Sequence, residues 1–174
     1  PTPHMRLVPI KFAGDSKLLR IIWEQTALPV LLRRWRVPLL HAPAYVAPLL
    51  VQCPCVLTVH DLHVFTHPAF CSAGNRLHYR MLMPRSIQRA ARIIAYSEHT
   101  RDNIIASFPE AASKITVVPP GIQPDLQPCS DPSLLQTVKA RYGLAEKFLL
   151  FVGDLTSRKN IDGIIRAFAA LHSK

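Results

Sequence analysis

Between Leu62 and Ser97 the chain has no acidic residue, yet Arg76, Arg80, Arg85, Arg89 and Arg92 all fall there. Without carboxylates to neutralise it, this stretch concentrates part of a formal net charge of +10. Arg85, Arg89 and Arg92 have the i, i+4, i+7 spacing of a single helical face. Such a face suits either bulk water or an anionic surface. Leu82, Met83 and Ile87 stand beside the arginines and would give a lipid surface apolar contact. The aromatic platform that single-stranded nucleic acid stacks on is missing from the stretch, so no nucleic-acid partner is expected. A solvated face and an anionic membrane face are the two readings that remain.

Other absences narrow the field. The longest uncharged run, Val37 to His60, is broken by Pro38, Pro43, Pro48 and Pro54, which excludes a membrane-spanning helix there. The cysteines are Cys53, Cys55, Cys71 and Cys129; Cys53-Pro54-Cys55 has neither zinc-knuckle nor redox-pair spacing. They read as incidental thiols of a reducing compartment. His41, His63, His67, His78 and His99 lack metal-ligand spacing, so no metal site is expected. There is no P-loop, no dinucleotide glycine fingerprint and no repeat at a solenoid period. The chain opens on Pro1 and closes, by pattern, in mid-helix, and it reads as a fragment.

What is present is material for a core: 49% of residues are apolar and 18% charged. Strand and helix signals alternate, which predicts an α/β fold of doubly wound, mainly parallel sheets. Helices are expected over Lys17 to about Leu28, where Pro29 disturbs the end, and over about Asn75 to Ala91, kinked at Pro84. Ser97 is expected to cap a third, with Glu98 and Asp102 near its positive end. The strands expected are Leu39 to His41, Cys55 to Asp61, Arg92 to Tyr96 and Ile115 to Val118. From Pro119 to Pro132 there are five prolines and one glycine, the composition of a linker. A second α/β unit should follow, with a helix near Leu134 to Tyr142, a strand from Lys147 to Val152 and a helix from Asn160.

Ligands of doubly wound sheets bind beyond the carboxyl ends of the strands. Three places qualify: His60-Asp61, Ser97, and the loop from Gly153 to Lys159. His60 reads equally as a functional imidazole and as a structural one bonded to a loop carbonyl. Asp61 suits either orienting that ring or capping the next turn. Ser97 reads as an N-cap, since no nucleophile-elbow glycines flank it. Phe148 to Val152 is continuously apolar, as in a strand hidden on both faces. Gly153 would let the backbone turn beside a ligand. Arg158 and Lys159 then precede a helix start, an arrangement that suits a phosphorylated ligand.

Several segments together carry a resemblance. They are Trp23-Glu24-Gln25, Val59-His60-Asp61-Leu62, Ala91 through Thr100, Lys114 through Ile122, and Phe151-Val152-Gly153 through Arg158-Lys159-Asn160. In this order and at these separations they resemble the family-4 retaining glycosyltransferases. The resemblance implies the GT-B architecture, two Rossmann-like domains facing across a cleft. It divides the chain into a partial N-terminal, acceptor-side domain (1–121), a linker (122–132) and the start of a nucleotide-sugar-binding domain (133–174).

Carried over residue by residue, the resemblance makes Arg158 and Lys159 the cations on the donor's diphosphate, with Gly153 as the turn beside them. It makes His60 the histidine that reaches the donor sugar near the reacting carbon. Gly121 falls at the start of the interdomain region, and Asp61 and Ser97 would line the cleft. The implied substrates are a nucleotide sugar, a guanine- or uracil-linked hexose with mannose favoured, and a glycan or lipid-linked acceptor. No separate cofactor is implied. The implied location is the cytoplasm or, peripherally, the inner membrane face. Another GT-B enzyme, such as a nucleotide-sugar epimerase, is the alternative, as is a surface-binding module without catalysis. The family's Gly-rich loop would precede residue 1 and its glutamate pair would follow Lys174. The 174 residues alone are therefore expected to bind donor weakly and transfer little sugar.

Overall fold

The structure, a computed structural model, describes residues 8–9, 16–124 and 126–172. The chain divides into two compact units, one running to Pro119 and the other starting at Pro120.

The first unit is built on four parallel strands. These are β1 (Leu40–Ala42), β2 (Cys55–Val59), β3 (Arg92–Ala95) and β4 (Ile115–Val117), lying side by side in chain order. Leu57 sits in register with Ala42 on one side and Ile93 on the other, and Ile93 pairs in turn with Ile115. The core gathers along this row: Leu57, Val59, Ile93 and Ala95 have no exposed surface. Each fully buried Leu or Ile side chain contributes about 1.5–3 kcal/mol of transfer free energy. Because the strands are parallel, all four carboxyl ends fall on one edge, and His60, Tyr96 and Val118 follow directly from three of them.

Helices α1 (Lys17–Arg34), α2 (His63–Thr66), α3 (Ala73–Arg89) and α4 (Glu98–Ser107) complete this unit. α1 runs through Pro29 rather than fraying there. Pro29 and Leu32 are its buried residues, so packing outweighs the hydrogen bond that a proline cannot donate. α3 likewise continues through Pro84. Its Ser72 cap accepts the Asn75 N–H, and Met83, Ser86 and Ile87 are buried on its inner face. This placement corrects two expectations. Met83 and Ile87 belong to the core and are not available to a lipid surface; the apolar residues α3 exposes are Leu77 and Met81. Arg92 lies past the helix, as the first residue of β3, because the Ala90 C-cap turns the chain into the sheet. Only Arg85 and Arg89 of the expected trio remain on one helix.

The second unit holds α5 (Pro132–Tyr142) and α6 (Ile161–His172). Asp131 caps α5, its carboxylate accepting the N–H groups of Ser133 and Leu134, and Pro132 occupies the first turn, where no N–H is needed. Gly143, at φ +59°, ends it in the left-handed conformation that glycine adopts without penalty. The strand expected over Lys147 to Val152 is not formed. A strand exists only through ladder bonds to a neighbour, and among the described residues this segment pairs with none. Nor is it hidden: Leu149 is 71% and Val152 83% exposed.

Candidate functional site

At the carboxyl edge of the first unit, the connection from β1 to β2 has no regular structure, yet its backbone groups find partners. The Tyr45 N–H donates to the Thr58 carbonyl at 2.9 Å. The Ala47 N–H donates to Ser86 Oγ on α3 at 3.1 Å. Gln25, on α1, clasps the same loop twice: its Nε2 donates to the Ala47 carbonyl at 3.3 Å and its Oε1 accepts the Leu49 N–H at 3.0 Å. Buried backbone polar groups need such partners, and here side chains from two helices supply them. This loop presents the Pro43 carbonyl and the Tyr45 ring to the end of β2.

His60 follows β2 directly. Its Nε2 lies 2.9 Å from the Pro43 carbonyl oxygen. Its ring meets Tyr96 edge-on at 4.1 Å between centroids and Tyr45 at 5.1 Å. Its own carbonyl accepts the Thr100 hydroxyl at 3.0 Å. The loop-carbonyl bond of the structural reading is therefore present, on a ring that is still half-buried at the sheet edge.

Ser97 caps α4. Its Oγ accepts the Thr100 N–H at 3.1 Å and lies 3.0 Å from Thr100 Oγ1. Since Thr100 spends its hydroxyl proton on the His60 carbonyl, Ser97 donates to Thr100. With its proton and a lone pair both committed, Ser97 is built as a cap, and through Thr100 it anchors the His60 backbone.

Asp61 does not touch the His60 ring. One carboxylate oxygen accepts the His63 N–H at 3.1 Å and, in a short contact, the His63 ring Nδ1–H; the other accepts the Tyr45 hydroxyl at 3.2 Å. Of the two roles open to it, the geometry selects capping the next turn. Burial, the largest single influence, pushes the Asp61 carboxyl up. The His63 ring and N–H bonds, the imidazole charge and the Tyr45 hydroxyl together pull it below its ordinary value. Asp61, His63, Asn75 and Tyr79 line a cavity of about 250 Å³, with Met83 at its wall.

The remaining candidates lie in the second unit. Gly121 stands in irregular backbone, and a Cβ there would meet nothing within 4 Å, so no local constraint calls for glycine. Gly153 differs. Its φ is +156°, and a Cβ would come within 3.1 Å of the Phe151 ring and 3.9 Å of Lys159 Cε. Arg158 and Lys159 sit in a single 3-10 turn, Ser157–Lys159, closed by Asn160 in the left-handed conformation at φ +49°. Both cations are exposed, and among the described residues neither is paired with a carboxylate. Such a turn leaves two positive side chains free for an anion.

Sequence reasoning did not find Tyr45, Ser86, Tyr96 or Thr100. Tyr45 holds φ +59°, a conformation that a tyrosine in the sequence gives no sign of. Thr100 sits at the third position after the Ser97 cap, and that spacing was the available signal.

Comparison with known proteins accords with this geometry. The family model for Glycosyltransferase Family 4 matches residues 3–126. That stretch contains the whole parallel sheet with His60, Asp61, Ser97 and Gly121, and it stops before Gly153. O-antigen chain mannosyltransferase B of Escherichia coli is 27% identical over 141 residues, covering 80% of this chain. The chain spans 36% of that relative's length. On the family match across most of its length, the chain belongs to glycosyltransferase family 4.

Proposed function

We propose that this chain is part of a retaining glycosyltransferase that moves a hexose, mannose favoured, from a guanine or uracil nucleotide sugar to a glycan or lipid-linked acceptor. The observation that carries the reading is His60 at the carboxyl end of β2, inside the family-matched stretch, with its ring at the edge where doubly wound sheets take ligands. The mannosyltransferase relative supports the sugar. Cleaving a sugar–phosphate bond builds negative charge on the departing nucleoside diphosphate and positive charge on the sugar. Arg158 and Lys159 are assigned to the diphosphate, where fixed cations stabilise charge as it develops. Gly153 gives that loop its turn. A panel of GDP-mannose, UDP-glucose and UDP-galactose, titrated by calorimetry into the glycosyltransferase that contains this chain, tests the reading and selects the base. Saturable binding of one of them supports it; equal indifference to all three and to free nucleoside diphosphates overturns it.

An anionic membrane surface is proposed as a second partner. α3 carries Arg76, Arg80, Arg85 and Arg89 without a single acidic side chain, and exposes Leu77 and Met81 among them. Basic groups interleaved with exposed apolar ones favour an interfacial position over simple solvation. Among the described residues no helix is long and apolar enough to cross a membrane, so this contact would be peripheral.

A further inference from the structure

The contacts around His60 determine more than its location. A carbonyl oxygen can only accept, so the 2.9 Å contact to Pro43 requires that Nε2 carry the ring hydrogen. A neutral imidazole has one N–H, so Nδ1 is a bare acceptor. Among the described residues no hydrogen bond engages Nδ1. Two aromatic rings restrain the imidazole at steep angles, Tyr96 at 83° and Tyr45 at 70° between planes. Neither is there by local preference alone. Tyr45 adopts φ +59°, a conformation that costs a bulky side chain free energy, and it is kept there by its N–H bond to Thr58 and its hydroxyl bond to Asp61. Tyr96 is fixed between β3 and the Ser97 cap, the same turn that grips the His60 carbonyl through Thr100.

We propose that Tyr96, together with Tyr45, is a positioning residue that holds the His60 ring on the Pro43 carbonyl as the Nε2–H tautomer and presents Nδ1 as a fixed hydrogen-bond acceptor at the carboxyl edge of the sheet. This deepens, and rests on, the reading of His60 as a ligand-facing residue. The consequence is chemical. A bare Nδ1 accepts from a hydroxyl and has nothing to donate to a phosphate oxygen. A hydroxyl-bearing part of the ligand therefore meets His60, while the diphosphate is left to cations elsewhere.

The test is proton and nitrogen magnetic resonance of the His60 ring under mildly alkaline conditions, in the unaltered chain and in Tyr96→Ala, Tyr96→Leu and Tyr96→Phe. The His60 Nε2–H proton should be observable while the Pro43 carbonyl holds it. It should vanish in Tyr96→Ala and Tyr96→Leu and persist in Tyr96→Phe, which keeps the ring. Unchanged amide signals of Leu57 and Ile93 confirm folding, and Tyr96→Leu nearly conserves volume should alanine fail. GDP-mannose affinity, titrated in parallel, should fall about tenfold with loss of the proton signal. A ring proton that survives in Tyr96→Leu overturns the positioning role. A proton signal lost with GDP-mannose affinity unchanged leaves the positioning intact and removes His60 from the donor site.

Discussion

Replacing Ser86 by alanine should weaken the first unit far more than deletion of one hydroxyl on a surface would. Ser86 is 1% exposed and Ala47, whose N–H it accepts at 3.1 Å, is 5% exposed. The hydroxyl also donates to the Leu82 carbonyl at 2.8 Å. That carbonyl has a second partner within the helix ladder, so losing the donor there costs little. Among the described residues the Ala47 N–H has no hydrogen-bond acceptor besides Ser86 Oγ, and a buried donor left unpaired costs about 1–3 kcal/mol. Taking ~2 kcal/mol and a urea slope of ~2 kcal/mol per molar, the unfolding midpoint should drop by about 1 M. Both tryptophans, Trp23 and Trp35, lie in the first unit, so their fluorescence follows its unfolding separately from the second. Ser72→Ala is the internal comparison. It removes an exposed cap from the same helix and should cost ~1 kcal/mol or less. A Ser86→Ala midpoint no lower than that of Ser72→Ala would refute the claim that α3 holds the β1–β2 connection through this bond.

Three further outcomes are expected. Because the folded Asp61 carboxyl lies below its ordinary value near ~3.9, its contribution to stability is present above that pH and is lost as pH falls through the folded value. Acid titrations of the unaltered chain and Asp61→Asn, followed by tryptophan fluorescence, should differ near neutrality and converge in strong acid. Gly153→Ala should displace the Phe151 ring and carry about 1–3 kcal/mol of backbone strain, since φ +156° is nearly confined to glycine. It should show as shifted amide signals for Arg158 to Asn160 and weaker nucleotide-sugar binding. Replacing Arg80 and Arg85 by alanine should reduce binding to vesicles containing phosphatidylserine about 30-fold at low salt, from ~1 kcal/mol for each basic group near the surface. Binding that is unchanged, or insensitive to salt, would dismiss the membrane face.

The first unit was largely readable from residue order. Leu57 and Val59 in β2, and Ile93 and Ala95 in β3, are apolar because the core of a parallel sheet is covered, and that pattern survives without knowledge of partners. Ser97 announced itself as a cap by type and position. Other features depend on tertiary context. Pro29 and Pro84 look like helix breakers locally, and only the packing of their buried neighbours shows that the helices continue. Whether Met83 or Met81 faces the core is a matter of helical phase, and an error of two residues reversed it. The apolar run from Phe148 to Val152 has a strand's composition, but a strand is a relation to a neighbour, and none is present among the described residues. At the site, His60 stood out by its place at a strand end. Its determinants did not: the Pro43 carbonyl and the Tyr45 ring approach it from the β1–β2 connection, and the Tyr96 ring from the end of β3.

The most direct test of the central claim is a calorimetric titration of the nucleotide sugar selected by the donor panel into the glycosyltransferase that contains this chain and into its Arg158→Ala, Lys159→Ala double variant. Each charge-assisted contact to the diphosphate is worth about 1.5–3 kcal/mol, so losing both should reduce affinity at least 100-fold. The fold should be unaffected, since both side chains are exposed. Saturable binding that collapses in the double variant is the predicted result. Binding of equal strength in both proteins would contradict the assignment of this loop to the donor's diphosphate.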